Sequence, residues 1–228
     1  MMSHRSVAVF DLGGVLIDWN PRYLYRRLFH GDEAAMEHFL ATVCTTSWNL
    51  QQDAGRPFAE ACAALKREHP AQTEFIDAWF HRQAEMVTGP IMGTVNILAE
   101  LRARGVPLYA LSNWSSETFP IARKRFEFLE WFQGILISGE VGLVKPDPRI
   151  FQLFLETHGV NPLQAVYVDD LKHNADAAAA QGMHAIHFTG PAALRSELVN
   201  LGLLDLDGEI EHGTRERRLN AEMDSSNL

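Results

Sequence analysis

Cysteine is scarce: two residues in 228, Cys44 and Cys62, at no spacing that suits a metal or a redox pair. No disulfide framework is needed either, because a chain this long can bury roughly 70% of its unfolded surface. Two lone thiols fit a reducing compartment. Long apolar runs are missing too, and none approaches the ~20 residues that span a bilayer. The first apolar stretch, Val7-Ala8-Val9-Phe10, meets Asp11 after four residues, too early for a secretory segment. A cytoplasmic protein is expected. Basic residues are outnumbered, 20 Lys and Arg against 29 Asp and Glu, and form no long stripe. The net charge of −9 argues against nucleic acid or an anionic membrane as partner. The ten histidines show no His-x-x-x-His spacing, so no zinc site is expected. There are no internal repeats.

What is present is ordinary for a globular domain: 46% apolar and 21% charged residues. Five short apolar runs, at 7–10, 106–111, 134–137, 165–168 and 185–188, alternate with amphipathic stretches. None of the runs alternates polar with apolar, as expected of parallel strands covered on both faces. Helices are expected over 94–104, 148–158 and the alanine-rich 174–181. Residues 20–88 show no strand-like run. Helical periodicity there predicts helices at 21–29, 32–43, 57–69 and 73–87, punctuated by Asp53-Ala54-Gly55 and Gly89-Pro90. From Asp205 to Leu228 seven acids stand against three arginines, which reads as a mostly disordered tail.

Four polar clusters follow directly on apolar runs: Asp11-Leu12-Gly13-Gly14, Ser112-Asn113, Lys145-Pro146, and Asp169-Asp170 with Asn174. Singly, each has a plain structural reading as a cap or turn. Together they fall where open α/β sheets bind ligands, beyond the carboxyl ends of the strands.

In this order the four clusters resemble the haloacid dehalogenase superfamily. VAVFDLGGVLID is similar to its first motif, LYALSNWS to its second, GLVKPDPRIF to its third and VYVDDLKHNADAA to its fourth. The resemblance implies a Rossmann-like parallel core of about five strands with helices on both faces. Residues 1–16 and 90–204 would form that core, residues 17–89 an inserted helical cap, and 205–228 a tail. It further implies a hydrolase in which Asp11 attacks phosphorus and forms an aspartyl-phosphate. Mg²⁺ would be held by Asp11, the Gly13 carbonyl and Asp170, with Asp169 and Asn174 orienting those ligands from behind. Lys145 would join Asp11 in catalysis and hold the phosphate, with Ser112 and the Asn113 amide binding its oxygens. The substrate would be a small phosphorylated metabolite, a sugar phosphate among the candidates.

Position 13 departs from the family pattern. Phosphatases of the superfamily usually carry a second Asp there as general acid and base, a role worth ~10² to 10⁴-fold. Gly13 cannot move a proton. Asp18 is the weak candidate that the sequence offers instead. The same gap opens a rival reading, a metal-free 2-haloacid dehalogenase, since halide leaves without protonation; the Asp169-Asp170 pair speaks against it. A third reading is a non-catalytic binding protein, which would leave Asp11, Lys145 and Asp170 unexplained. Trp19, Trp48 and Trp114 are candidate pocket walls, and Arg22, Arg26 and Arg27 read as a solvated face. Monomer and homodimer stay open.

Overall fold

Residues 6–205 are described in the computed structural model. The first half of the chain runs β1 (Val7–Phe10), β2 (Ile17–Trp19), α1 (Arg22–Leu28), α2 (Glu33–Thr42), α3 (Thr46–Asp53), α4 (Phe58–Glu68), α5 (Thr73–His81), β3 (Val87–Pro90) and α6 (Met92–Ala103). The second half runs β4 (Leu108–Ser112), α7 (Phe119–Arg125), β5 (Gly134–Ile137), α8 (Ser138–Val141), α9 (Pro148–His158), β6 (Ala165–Asp169), α10 (Lys172–Ala180), β7 (His184–His187) and α11 (Pro191–Asn200).

The five expected apolar runs form one five-stranded sheet in the order β5-β4-β1-β6-β7, with every pairing parallel. Both faces are covered, which is why the strands read as unbroken apolar runs. Ala8 and Phe10 point into a layer with Leu98 and Leu101 of α6 and Leu194 and Leu198 of α11. Val9 points the other way, into a layer with Ile150, Phe151 and Phe154 of α9. The chain is therefore an α/β fold with helices on both sides of a parallel sheet. No helix among the described residues is long and apolar enough to cross a membrane.

Helices α1 to α5 build a separate apolar cluster around Tyr25, Phe39, Phe58 and Trp79. Three features of this insert depart from the sequence reading. Helix α3 is additional: Thr45 caps it by accepting from the Trp48 amide at 3.0 Å, and the chain leaves it through Gly55 at φ +96°. Helix α5 ends at His81 instead of reaching 87. Residues 87–90 then form β3, which pairs antiparallel with β2, so the stretch taken as wholly helical returns through a two-stranded ribbon. Asp18 belongs to that ribbon: its carboxylate accepts from Tyr23 Oη at 3.0 Å and Thr88 Oγ1 at 2.6 Å. The expected tail lies outside the described residues except for Asp205, which pairs with Arg104.

Candidate active site

The sheet register brings the four clusters together. Phe10 lies beside Ala110 on one flank and Val168 on the other. Asp11, just past β1, and Ser112 and Asp169, the last residues of β4 and β6, therefore stand at one edge of three neighbouring strands. The Asp11 amide extends the ladder by donating to the Val168 carbonyl at 2.8 Å.

Lys145 is the hub. It is 2% exposed, and its Nζ lies 2.9 Å from Asp11 Oδ2, 2.7 Å from Asp169 Oδ2 and 3.0 Å from the Leu111 carbonyl. An ammonium has three N–H donors, and three acceptors surround it. Asn113 fixes the loop that carries it, donating from Nδ2 to the Lys145 carbonyl at 3.0 Å and accepting the Lys145 amide at 2.8 Å. Asp11 Oδ1 accepts from Ser112 Oγ and from the Leu12 amide, each at 2.7 Å. The nucleophile candidate is thus held in one orientation by donors on both oxygens.

Asp169 is fully buried and surrounded by donors: Lys145, the Tyr167 hydroxyl at 2.6 Å, the Leu171 amide at 2.9 Å, and Asn174 Nδ2 at 3.1 and 3.3 Å from its two oxygens. Burial, with Asp169 and Asp11 nearby, raises the Tyr167 hydroxyl well above its ordinary range, so it stays protonated and donates. Burial alone would raise Asp169, but the Lys145 charge and these hydrogen bonds override it and hold the carboxyl below its usual value. Burial likewise opposes charge on Lys145, yet Asp11 and Asp169 outweigh it and raise the ammonium. Asp11 is less compensated. Burial pushes it up to about 7, against the pull of Lys145 and with Asp169 adding to the push.

Oxygens of Asp11, Asp169 and Asp170 lie within 4.8 Å of one another. Three carboxylates sharing one ammonium leave two negative charges, the complement of a divalent cation with oxygen ligands. Asp170 is half-buried, and among the described residues no side chain donates to its carboxylate. It occupies the space a side chain at position 14 would need: a Cβ on Gly14 would fall 2.3 Å from Asp170 Oδ2. Gly14 also has φ +72°, so glycine is required there twice over. Asn174 Oδ1 is a buried acceptor without a protein partner. These residues fit a hard divalent ion. Asp169 is already saturated by donors, which leaves Asp11 and Asp170 as the side chains free to ligate.

Beside this cluster lies a cavity of about 90 Å³ between the insert and the sheet edge. Gly13 and Asn113 line its base, and Trp19, Phe58, Trp79 and Trp114 wall it. Asn49, Asp53 and Gln83 add polar groups, and among the described residues no Lys, Arg or His lines it. Trp19 and Trp114 thus stand where the sequence suggested, whereas Trp48 is buried within the insert. Arg22, Arg26 and Arg27 are away from the cavity, paired on the surface with Glu37, Glu33 and Glu85. Asp18 does not line it. Trp79 went unnoticed in the sequence, and Asp53 was read there only as part of a turn; Thr45 and Gly55, bracketing α3, were the available signal that Asp53 closes a helix.

Comparison with known proteins agrees with this picture. The profile of haloacid dehalogenase-like hydrolases matches residues 6–182. A sesquiterpene phosphatase of Aspergillus oryzae is 28% identical over 202 residues, 88% of this chain and 98% of that protein. Acyl-CoA dehydrogenase family member 10 of Mus musculus is 28% identical over 216 residues, 86% of this chain but only 19% of that longer protein. Among solved structures, a HAD-family enzyme of Bacteroides thetaiotaomicron in complex with magnesium and inorganic phosphate superposes with a TM-score of 0.62 at 22% identity, covering 82% of this chain and 95% of that one. An L-2-haloacid dehalogenase superposes with a TM-score of 0.61 at 23% identity, covering 78% and 84%.

Proposed function

The chain belongs to the haloacid dehalogenase-like hydrolases, and within that family we propose that it is a magnesium-dependent phosphatase acting on a small phosphorylated metabolite through an aspartyl-phosphate on Asp11. The observation that carries this reading is the charge imbalance at the sheet edge, where among the described residues Lys145 is the one ammonium that Asp11, Asp169 and Asp170 share. A metal-free dehalogenase has no use for the surplus acid at Asp170.

Residues 17–89 act as the cap that closes over the site, and 1–16 with 90–204 as the catalytic core. Asp11, Asp170 and the Gly13 carbonyl would hold Mg²⁺, with Asp169 and Asn174 bracing the site behind them. When bound, the ion neutralises phosphate and carboxylate so that the two can meet. The chain's own residues do the rest. Ser112 and the Leu12 amide fix the Asp11 carboxylate for attack on phosphorus, with the ester oxygen leaving opposite. Lys145 offsets the charge that Asp11 and the phosphoryl group bring together. With phosphate bound, the Ser112 hydroxyl would turn its one proton from Asp11 Oδ1 to a non-bridging oxygen, and the Asn113 amide would take another, while the Leu12 amide keeps the carboxylate in place. The four aromatic walls exclude water from the leaving-group side.

The lining also limits the substrate. Since among the described residues no cation lines the cavity, a second anionic group on the leaving alcohol finds no partner there and would meet Asp53. A neutral leaving group, a sugar or another alcohol, fits best. A reducing, cytoplasmic setting suits the two buried free thiols.

The test is phosphate release from p-nitrophenyl phosphate with Mg²⁺ and with excess chelator, alongside chloride release from 2-chloropropionate. Chelator-sensitive phosphate release that disappears in Asp11→Asn is expected. Chloride release without metal would replace this reading by the dehalogenase one.

A further inference from the structure

The leaving oxygen of an alkyl phosphate departs as a strongly basic alkoxide unless a proton reaches it, and Gly13 has none to give. We propose that Asp53, at the end of α3, supplies that proton from the wall of the same cavity that Gly13 lines. This inference rests on the phosphatase reading and names the residue that completes it.

Asp53 is held in place by the core as well as by its own helix. Its carbonyl accepts from Ser138 Oγ at 2.6 Å, and the same hydroxyl accepts the Trp114 amide at 2.9 Å. A second tie lies nearby, where the Phe58 amide donates to Glu117 Oε1 at 2.9 Å. The carboxylate is oriented as well. Trp79 Nε1, which can only donate, occupies Asn49 Oδ1 at 3.1 Å, and this turns Asn49 Nδ2 toward Asp53 Oδ2 at 2.9 Å. An aromatic wall of the cavity thereby aligns the acid beside it.

The placement is costly for stability, which argues against a merely structural acid. Asp53 closes the carboxyl end of a helix, where negative charge is disfavoured. Among the described residues no cation pairs with it. Burial pushes its carboxyl up to about 7, the Ser115 amide pulling down and Asp11 pushing further up. An acid poised near neutrality suits proton transfer in both directions. Among the described residues Asp53 is the one acid that lines the cavity, which neither Asp18 nor Asp169 reaches.

The balance is simple. An Asp11 oxygen bonds to phosphorus as the ester P–O bond breaks, its electron pair staying on the leaving oxygen. Protonated Asp53 gives its proton to that oxygen, and a neutral alcohol departs. The Asp53 carboxylate then takes a proton from water as the water oxygen attacks phosphorus. The P–O bond to Asp11 breaks, phosphate leaves, and both acids return to their starting states.

The experiment compares kcat/KM for a neutral alkyl phosphate with that for p-nitrophenyl phosphate, whose leaving group needs no proton, in the full chain with Mg²⁺. Asp53→Asn should lower the alkyl-to-aryl ratio by ~10² to 10⁴-fold. Asp53→Glu should recover part of it. Adding Gly13→Asp to Asp53→Asn should restore the ratio, because a Cβ at position 13 meets nothing within 4 Å. A ratio unchanged from wild type in Asp53→Asn, or in Asp53→Ser if the first variant does not fold, overturns the proposal while the phosphatase reading stands. A wild-type chain that releases phosphate from neither ester overturns both.

Discussion

Replacing Lys145 by Met removes the ammonium and keeps most of the side-chain volume. In the folded protein that ammonium satisfies Asp11, Asp169 and the Leu111 carbonyl, with its side chain wholly out of water. Deleting one partner of a buried ion pair typically costs ~3–5 kcal/mol, because the charge left behind is uncompensated. The lower end applies here. Asp169 keeps Tyr167, Asn174 and the Leu171 amide, and Asp11 keeps Ser112 and the Leu12 amide. For a chain of this size ~3 kcal/mol corresponds to a Tm loss of ~6–12 °C. The loss should depend on pH. Without the ammonium, burial holds both carboxyls above their unfolded values. A carboxyl raised in the folded state contributes stability when protonated, at low pH, and that contribution fades as pH rises through its folded value. The deficit against wild type should therefore be larger at pH 8 than at pH 5. Thermal melts in chelator at both values measure it, and Asp169→Asn in the Lys145→Met background should recover part of the loss. A Tm drop under ~2 °C, which is below ~1 kcal/mol, or a deficit that shrinks at alkaline pH, would refute the reasoning.

Gly14→Ala meets both a left-handed backbone, worth ~1–2 kcal/mol, and the Asp170 carboxylate; Tm should fall and the Mg²⁺ needed for half-maximal thermal stabilisation should rise. Asp53 is raised in the folded state, so its contribution to stability is full below pH 4 and is lost as pH rises through about 7. Asp53→Asn should therefore gain on wild type between pH 5 and pH 8, and parallel Tm curves would contradict the burial argument. Among alkyl phosphates, those whose alcohol carries a carboxylate should show a higher KM than neutral ones of equal size, since among the described residues no cation lines the cavity. Equal KM values would mean that the leaving group binds elsewhere.

The sheet and its edge chemistry were legible in the sequence because both are local. A strand buried on two faces must be apolar at every position, so Val7–Phe10 and Ala165–Asp169 announce themselves, and the acids that end them stand at the break in the pattern. The insert was harder. Helix α3, Thr46–Asp53, carries few apolar residues and packs by one face only, so periodicity missed it although Thr45 and Gly55 mark its ends. The ribbon of β2 and β3 is short and half-exposed, and its pairing partner lies about seventy residues away.

What the residues alone determined was the layered α/β architecture and the polar groups Asp11, Ser112, Asp169 and Asp170 at its strand ends; Lys145, which lies beyond α8, joined them through the family resemblance. The family resemblance had already implied separate roles for them; the tertiary structure supplied what each one touches. It surrounds Asp169 with donors, leaves Asp170 open beside Gly14, and brings Asp53 into the cavity that Gly13 lines. Those decisions depend on distances between segments remote in sequence, and a linear pattern carries no distances.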